Sequence, residues 1–178
     1  IKKTLHVLER RGWIRRESKG VYVCVSPGEV FMEMVRFRVP KILEKTGRKY
    51  AYTRASAAEV WTDYSYIQRS WEHSPYFVKV LREDVDHWVR HFRDHKIAAF
   101  IEDAKPAMGE FVVLFPEEHF DHDVYNGKPV DGLGDVTRFC ERHIEAFEYP
   151  LAYLKGKFGV GTRVEIDERV LEEAARVI

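Results

Sequence analysis

The chain has 178 residues, 45% of them apolar, with 29 basic and 29 acidic side chains, so its formal net charge is zero. This length allows one large domain or two small ones, and no apolar run approaches the roughly 20 residues that span a membrane. Cys24 and Cys140 lack CxxC spacing, which indicates a buried pair of free thiols in a reducing cytosol. No signal peptide is visible, so we expect a cytoplasmic protein.

The first 25 residues change from a helical pattern to a β pattern. Leu5 and Leu8 fall on one face of a helix, and Gly12 stands where a left-handed C-terminal cap would lie. Two β-rich segments with a polar turn between them follow: Trp13–Arg16, Glu17–Gly20 and Val21–Val25. The predicted order is therefore helix, stop, strand, basic turn, strand.

This order resembles the recognition helix and wing of a winged helix-turn-helix transcriptional regulator. The residues that carry the resemblance are Leu5, Leu8, Gly12, Trp13, Ile14, Arg16, Gly20, Tyr22 and Pro27. The resemblance implies sequence-specific DNA binding, with a homodimer as the expected form. A winged helix normally has two helices before its recognition helix, so we expect upstream residues or a partner chain that covers Leu5, Leu8 and Trp13.

The charge pattern of residues 1–20 agrees with DNA contact. Seven basic side chains face two acids there, giving +5 in a chain whose total is zero. Such cations replace counterions along the phosphates, and a helix in the major groove reads base edges. We expect the groove-facing residues to be Lys2, Lys3, His6 and Arg10, and the phosphate-binding residues to be Arg15, Arg16 and Lys19. The alternatives are a solvated basic helix on a hairpin, or a winged helix used for protein contacts.

Residues 26–47 are predicted to form a helical linker between the winged-helix fragment, 1–25, and a third segment, 48–178. Ser26 suits an N-cap, with Pro27 at the first helical position and Glu29 completing a capping box. Pro40 predicts a break near Val39, because proline cannot donate a helical hydrogen bond.

Residues 48–178 are predicted to form a mixed α/β domain with three or four short strands, so the chain as a whole is α+β. The predicted strands are Lys49–Thr53, Phe77–Leu81, Ala98–Glu102 and Glu110–Phe115, and Tyr64–Tyr76 is predicted to be irregular. The predicted helices are Ala55–Trp61, 84–95, a long helix capped by Asp135 and kinked at Pro150, and Asp167–Ile178.

Over about residues 48–115 the element order resembles that of AbiEi-type antitoxin regulators, which carry a Ser-Ala helix after the wing. Ser56 and Ala57 match this helix, while Ala58 stands where leucine is usual and Thr62-Asp63 replaces a glycine. The resemblance implies a repressor of its own operon that also counteracts a nucleotidyltransferase toxin.

Two clusters offer metal-ligand chemistry. His87, His91 and His95 form a stripe on one helix, but it lies beside the apolar Trp88 face and predicts a half-exposed flank. Residues 117–123 hold four carboxylates and two imidazoles, a density typical of metal sites and also of solvated loops. The alternative function is thus a metal-dependent enzyme of nucleic-acid metabolism with a winged-helix docking module.

Other patterns favour structural roles. Cys140, with His143 three residues on, could be a nucleophile but is more typical of a core cysteine. The aromatic stretch 64–71 could stack bases or form an interface, and is more often the edge of a core. Residues 156–161 lack the order of a phosphate-binding loop. We therefore expect a regulator that binds double-stranded DNA and has no catalytic residue, metal or cofactor, and whose larger domain binds a protein partner or a ligand.

Overall fold

The computed structural model describes residues 2–10, 14–24, 37–70, 72–105 and 107–178. The chain divides into two compact units, residues 1–37 and 38–178. Both helices and a mixed sheet are present, which confirms the α+β class. The predicted linker differs from this division, because its last ten residues belong to the second unit.

The first unit contains a helix and a hairpin. Helix α1 (Lys2–Arg10) contacts strand β1 (Ile14–Ser18), which pairs antiparallel with β2 (Val21–Cys24). The predicted strand–turn–strand order is confirmed, with a turn of two residues in place of four. Gly20 lies in this turn at φ 86°, where a side chain would be strained. Gly12, Trp13 and Val25 lie outside the described residues.

Helix α2 (Val39–Glu44) opens the second unit, and its apolar residues are buried. Pro40 sits at the start of this helix, where its missing N–H costs no intrahelical bond. The backbone N–H groups of Arg38 and Val39 donate to Glu110 Oε1 at 2.7 and 3.0 Å. The helix predicted to begin at Ser26 falls largely outside the described residues.

Six strands form a mixed sheet in the order β5-β6-β4-β3-β8-β7. Their bounds are β3 Tyr50–Tyr52, β4 His73–Leu81, β5 Ala98–Ile101, β6 Gly109–Glu117, β7 Asp123–Tyr125 and β8 Lys128–Val130. Strands β5, β6 and β4 run parallel, and β3 is antiparallel to β4. Strand β8 is parallel to β3 and antiparallel to β7. The long central strands β4 and β6 position the shorter ones.

Helices cover this sheet. They are α3 (Arg54–Trp61), α4 (Val85–Asp94, after a 3-10 turn at Arg82–Asp84), α5 (Leu133–Arg142), α6 (Ile144–Phe158) and α7 (Glu168–Ala175). The largest fully buried side chains include Trp88 and Phe92 from α4 and Tyr76 and Phe111 from the central strands. No helix in the described ranges is both long and apolar enough to cross a membrane.

Three predictions about residues 48–178 were wrong. The described residues of the domain form six strands, because β7 and β8 form a short hairpin around Asn126 and Gly127, at φ 49° and 74°. Strand β4 begins at His73, inside the segment predicted to be irregular, because it pairs with β6 along its whole length. The long helix is two helices that meet at His143, and the N-cap of the first is Gly132, with Asp135 in its first turn.

The predicted kink at Pro150 is found one turn earlier. Phe147 has non-helical angles of φ −123° and ψ 22° within α6. A proline ring clashes with the carbonyl four residues before it and removes one hydrogen bond, so the distortion falls in the preceding turn.

Candidate functional site

The hairpin of the first unit carries three of the side chains predicted to contact DNA. Arg15 and Arg16 lie on β1 and Lys19 lies in the turn, and all three are exposed. Arg15 is opposite Val23, whereas Arg16 is opposite Tyr22. Since successive side chains of a strand point to opposite faces, the two arginines lie on opposite faces of the hairpin.

The rest of the predicted interface lies on α1. His6 is exposed, while Leu5 and Leu8 are half-buried, so the helix has a polar side and an apolar side as its sequence predicts. Lys2, Lys3 and Arg10 belong to this helix, but their side chains lie outside the described residues. Val21 and Val23 are 48% and 38% exposed on β2, so an apolar strip lies beside Arg15.

The acidic segment 117–123 has the arrangement of a charged surface. Its four carboxylates are exposed, and Glu118 forms an ion pair with Arg82. Among the described residues, which include the whole segment, no group of three or more His, Cys, Asp or Glu is placed to hold a metal ion. The metal-dependent alternative therefore has no ligand set in this part of the chain.

The histidine stripe on α4 is half-buried, which confirms the prediction of a helix flank. His91 Nε2 lies 3.1 Å from the carbonyl oxygen of Ile42, so it connects α4 to α2. His95 Nδ1 lies 2.9 Å from the carbonyl oxygen of His91. These contacts with main-chain carbonyls give two of the three imidazoles a structural partner.

The cysteines differ in exposure. Cys140 is buried on α5, and burial raises the pKa of its thiol to about 12. It is therefore a neutral thiol at physiological pH and a poor nucleophile. Cys24 is exposed, so the expectation of two buried thiols was wrong for this residue. Cys24 is the last residue of β2, and its pairing with β1 does not bury its side chain.

The aromatic stretch 64–71 supplies the edge of the core over its described residues. Arg69 is buried, forms an ion pair with Glu59 across 2.5 Å and lies over the ring of Tyr76. The hydroxyl of Tyr66 donates to the carbonyl oxygen of Ala146 at 2.8 Å. Trp71 lies outside the described residues.

A polar cluster that the sequence did not indicate surrounds Asp63. Its carboxylate accepts hydrogen bonds from the Tyr125 and Tyr153 hydroxyls, at 3.0 and 2.7 Å, and from Lys157 Nζ. Burial alone would raise the pKa of Asp63, but these hydrogen bonds outweigh it and the pKa is lowered. The cluster fastens the end of α3 to the β7–β8 hairpin and to α6.

A cavity of about 300 Å³ was also missed. It lies where β3 and β8 run into α3 and α5. Its lining residues are Thr53, Arg54, Lys79, Asp131, Asp135, Val136, Arg138, Phe139, Arg142 and His143. In the sequence, Thr53 follows β3 and Asp131 follows β8. Their adjacency could not be predicted, because Thr53 and Asp131 are 78 residues apart.

No family model matches the chain, and no curated protein matches it significantly. A functional proposal therefore depends on the charge and the placement of the described side chains.

Proposed function

We propose that the protein is a DNA-binding transcriptional regulator that contacts double-stranded DNA through its first unit. The observation that carries this proposal is a helix followed by a two-stranded hairpin with Arg15, Arg16 and Lys19 exposed around the turn. The +5 charge of residues 1–20 supports it, because phosphate neutralisation is the main source of affinity for DNA.

In this proposal α1 contacts the DNA bases and the hairpin contacts the phosphate backbone of the DNA. The N-terminal residues of a recognition helix point into the major groove, which assigns Lys2, Lys3 and His6 to base contacts and Arg10 to the same face. Arg15, Arg16 and Lys19 contact phosphates, which position the protein without specifying sequence. The protein acts as a cytoplasmic homodimer. In the narrower form of the proposal it is the antitoxin and autorepressor of a toxin–antitoxin pair.

We expect a steep salt dependence of DNA binding. About five phosphate contacts give a slope of log K against log salt of about −4 to −5. The measurement is fluorescence anisotropy of the full chain on a random-sequence duplex of about 25 base pairs across a salt series.

A matched pair of variants distinguishes the effect of the hairpin's basic residues from the effect of the protein's total charge. Replacing Arg15, Arg16 and Lys19 with glutamine should make the slope shallower by about 2–3. Removing the same charge from exposed positions of the second unit, Arg90, Arg93 and Lys155, should leave the slope within about one of the wild-type value. A wild-type slope shallower than about −2, or equal effects of the two triple variants, contradicts the proposal.

A second expected result concerns specificity. Lys3→Ala should cost about 1–3 kcal/mol on the preferred duplex and relax the preference at one base pair. Lys19→Ala should weaken all duplexes by a similar, smaller amount and make the salt slope about one shallower. Competition binding of both variants, on a duplex selected from a random library and on its scrambled form, distinguishes the two roles.

The hairpin supplies an internal comparison. In this proposal Arg15 and Arg16 contact phosphates from opposite faces of the hairpin, so Arg15→Ala and Arg16→Ala should each make the salt slope about one shallower. The ratio of affinity for the selected duplex to affinity for the scrambled duplex is compared between Lys3→Ala and Lys19→Ala. If the two variants give the same ratio, the assignment of base contacts to α1 and phosphate contacts to the hairpin is wrong.

A further inference from the structure

The cavity of the second unit lies at the carboxyl ends of two parallel strands. Tyr52 and Val130, the last residues of β3 and β8, are paired neighbours. Each strand then runs directly towards a helix, α3 at Arg54 and α5 at Leu133. Crevices at such strand ends are where open α/β sheets bind ligands.

A buried aspartate, Asp131, connects the residues at this end of the sheet. Asp131 is 5% exposed and accepts a hydrogen bond from the Thr53 hydroxyl at 2.5 Å. Lys79 Nζ lies 2.8 Å from its other carboxylate oxygen, and the Trp61 indole N–H donates to its carbonyl oxygen at 2.9 Å. These contacts fix three of the lining residues, Thr53, Lys79 and Asp131.

The lining carries an excess of positive charge. Four cationic side chains, Arg54, Lys79, Arg138 and Arg142, face two carboxylates, Asp131 and Asp135. Asp131 pairs with Lys79, and Asp135 pairs with Arg138. Within the described ranges neither Arg54 nor Arg142 forms an ion pair, so a net charge of +2 remains.

Arg54 is placed at the cavity by an unusual backbone. Its φ of 53° lies in the left-handed region, which costs energy for a side chain of this size. Its guanidinium lies 3.9 Å from the centre of the Phe115 ring. That ring lines a neighbouring hollow with Glu102, Asp103 and Glu117, so Arg54 is shared between this acidic hollow and the cavity. It is also the first residue of α3, where the helix dipole adds positive partial charge.

We propose that this cavity binds the phosphate group of a small phosphorylated molecule, with Arg142 as its principal cation. A phosphate dianion matches the charge excess of +2, and guanidinium groups bind phosphate in bidentate geometry. Val136 and Phe139 give the cavity an apolar part for the organic portion of the ligand. The volume of about 300 Å³ is at the lower end of ligand sites, so the ligand is no larger than a mononucleotide.

Calorimetric titration of the full chain with AMP, ribose 5-phosphate, inorganic phosphate and adenosine tests this proposal independently of DNA binding. We expect the phosphorylated probes to bind, phosphate to compete with AMP, and adenosine not to bind. Arg142→Gln should weaken AMP binding about 10-fold or more, because it removes a charge-assisted contact.

Arg90→Gln is the matched control. Arg90 and Arg142 are both exposed helix residues whose Nε donates to the carbonyl oxygen four residues earlier, at 3.2 and 3.3 Å. Arg90→Gln should leave AMP binding unchanged, and Arg142 is exposed enough for its variant to fold. The proposal is overturned if no phosphorylated probe binds at up to about 10 mM, if adenosine binds as tightly as AMP, or if Arg142→Gln binds like Arg90→Gln.

Discussion

Replacing Arg69 with methionine should lower the free energy of unfolding by about 3–5 kcal/mol at pH 8, and by clearly less at pH 5. Arg69 and Glu59 are both buried, with Nη2 and Oε2 2.5 Å apart. Removal of the arginine leaves a buried carboxylate without its countercharge, and that desolvation cost is the reason for the large effect.

The pH dependence follows from the pKa of Glu59. Burial raises this pKa from 4.5 to about 7, although Arg69 and the backbone N–H of Gln68 oppose the increase. A carboxyl whose pKa is higher in the folded state contributes stability that is fully present below pH 4.5 and is lost as pH rises through about 7. Without Arg69 the pKa rises further, so the folded variant must either hold a proton or bury a charge at pH 8.

Urea unfolding followed by circular dichroism at the two pH values measures this effect. The double variant Glu59→Gln/Arg69→Met should recover much of the stability at pH 8, because neither buried charge remains. Arg93→Met, at an exposed position of α4, is the matched control and should change stability by less than about 0.5 kcal/mol. The same loss at both pH values, or no recovery in the double variant, would rule out this explanation.

Replacing Trp88 with alanine should lower the free energy of unfolding by about 3–5 kcal/mol. Trp88 is fully buried on α4, and its ring centre lies 5.8 Å from that of Phe92 and 5.9 Å from that of Tyr50. Loss of the indole removes a large apolar surface and leaves a cavity that the sheet and helix cannot close.

Phenylalanine at this position is the informative comparison. Trp88 Nε1 is buried and has no hydrogen-bond partner in the described part of the chain. Trp88→Phe removes that unpaired N–H together with only part of the ring, so its cost should be about 1–2 kcal/mol. Urea unfolding of both variants checks the order, and a phenylalanine variant as unstable as the alanine variant would contradict it.

Local patterns predicted the elements whose stabilising contacts lie close in sequence. Asp167 is the N-cap of α7, and its carboxylate accepts the backbone N–H of Arg169 at 2.8 Å. The apolar face predicted at Trp88 is buried on α4. Gly20 marked the hairpin turn, because a residue with positive φ favours glycine.

Elements stabilised by distant partners were missed or cut short. Strands β7 and β8 have three residues each, too few for a pattern of period two to stand out, and β8 is held by its pairing with β3. The first residues of β4 are a strand because β6 pairs with them, although Ser74 and Pro75 have low β propensity.

The sequence by itself determined the α+β class, the helix and hairpin of the first unit, and the concentration of basic residues there, because periodicity, turn residues and charge are properties of neighbours along the chain. Only the tertiary structure decided that Glu59 and Arg69 share a buried pair. It also brought Arg54 and Arg142 to one cavity. The cavity depends on the adjacency of β3 and β8, which arises from packing between residues far apart in sequence.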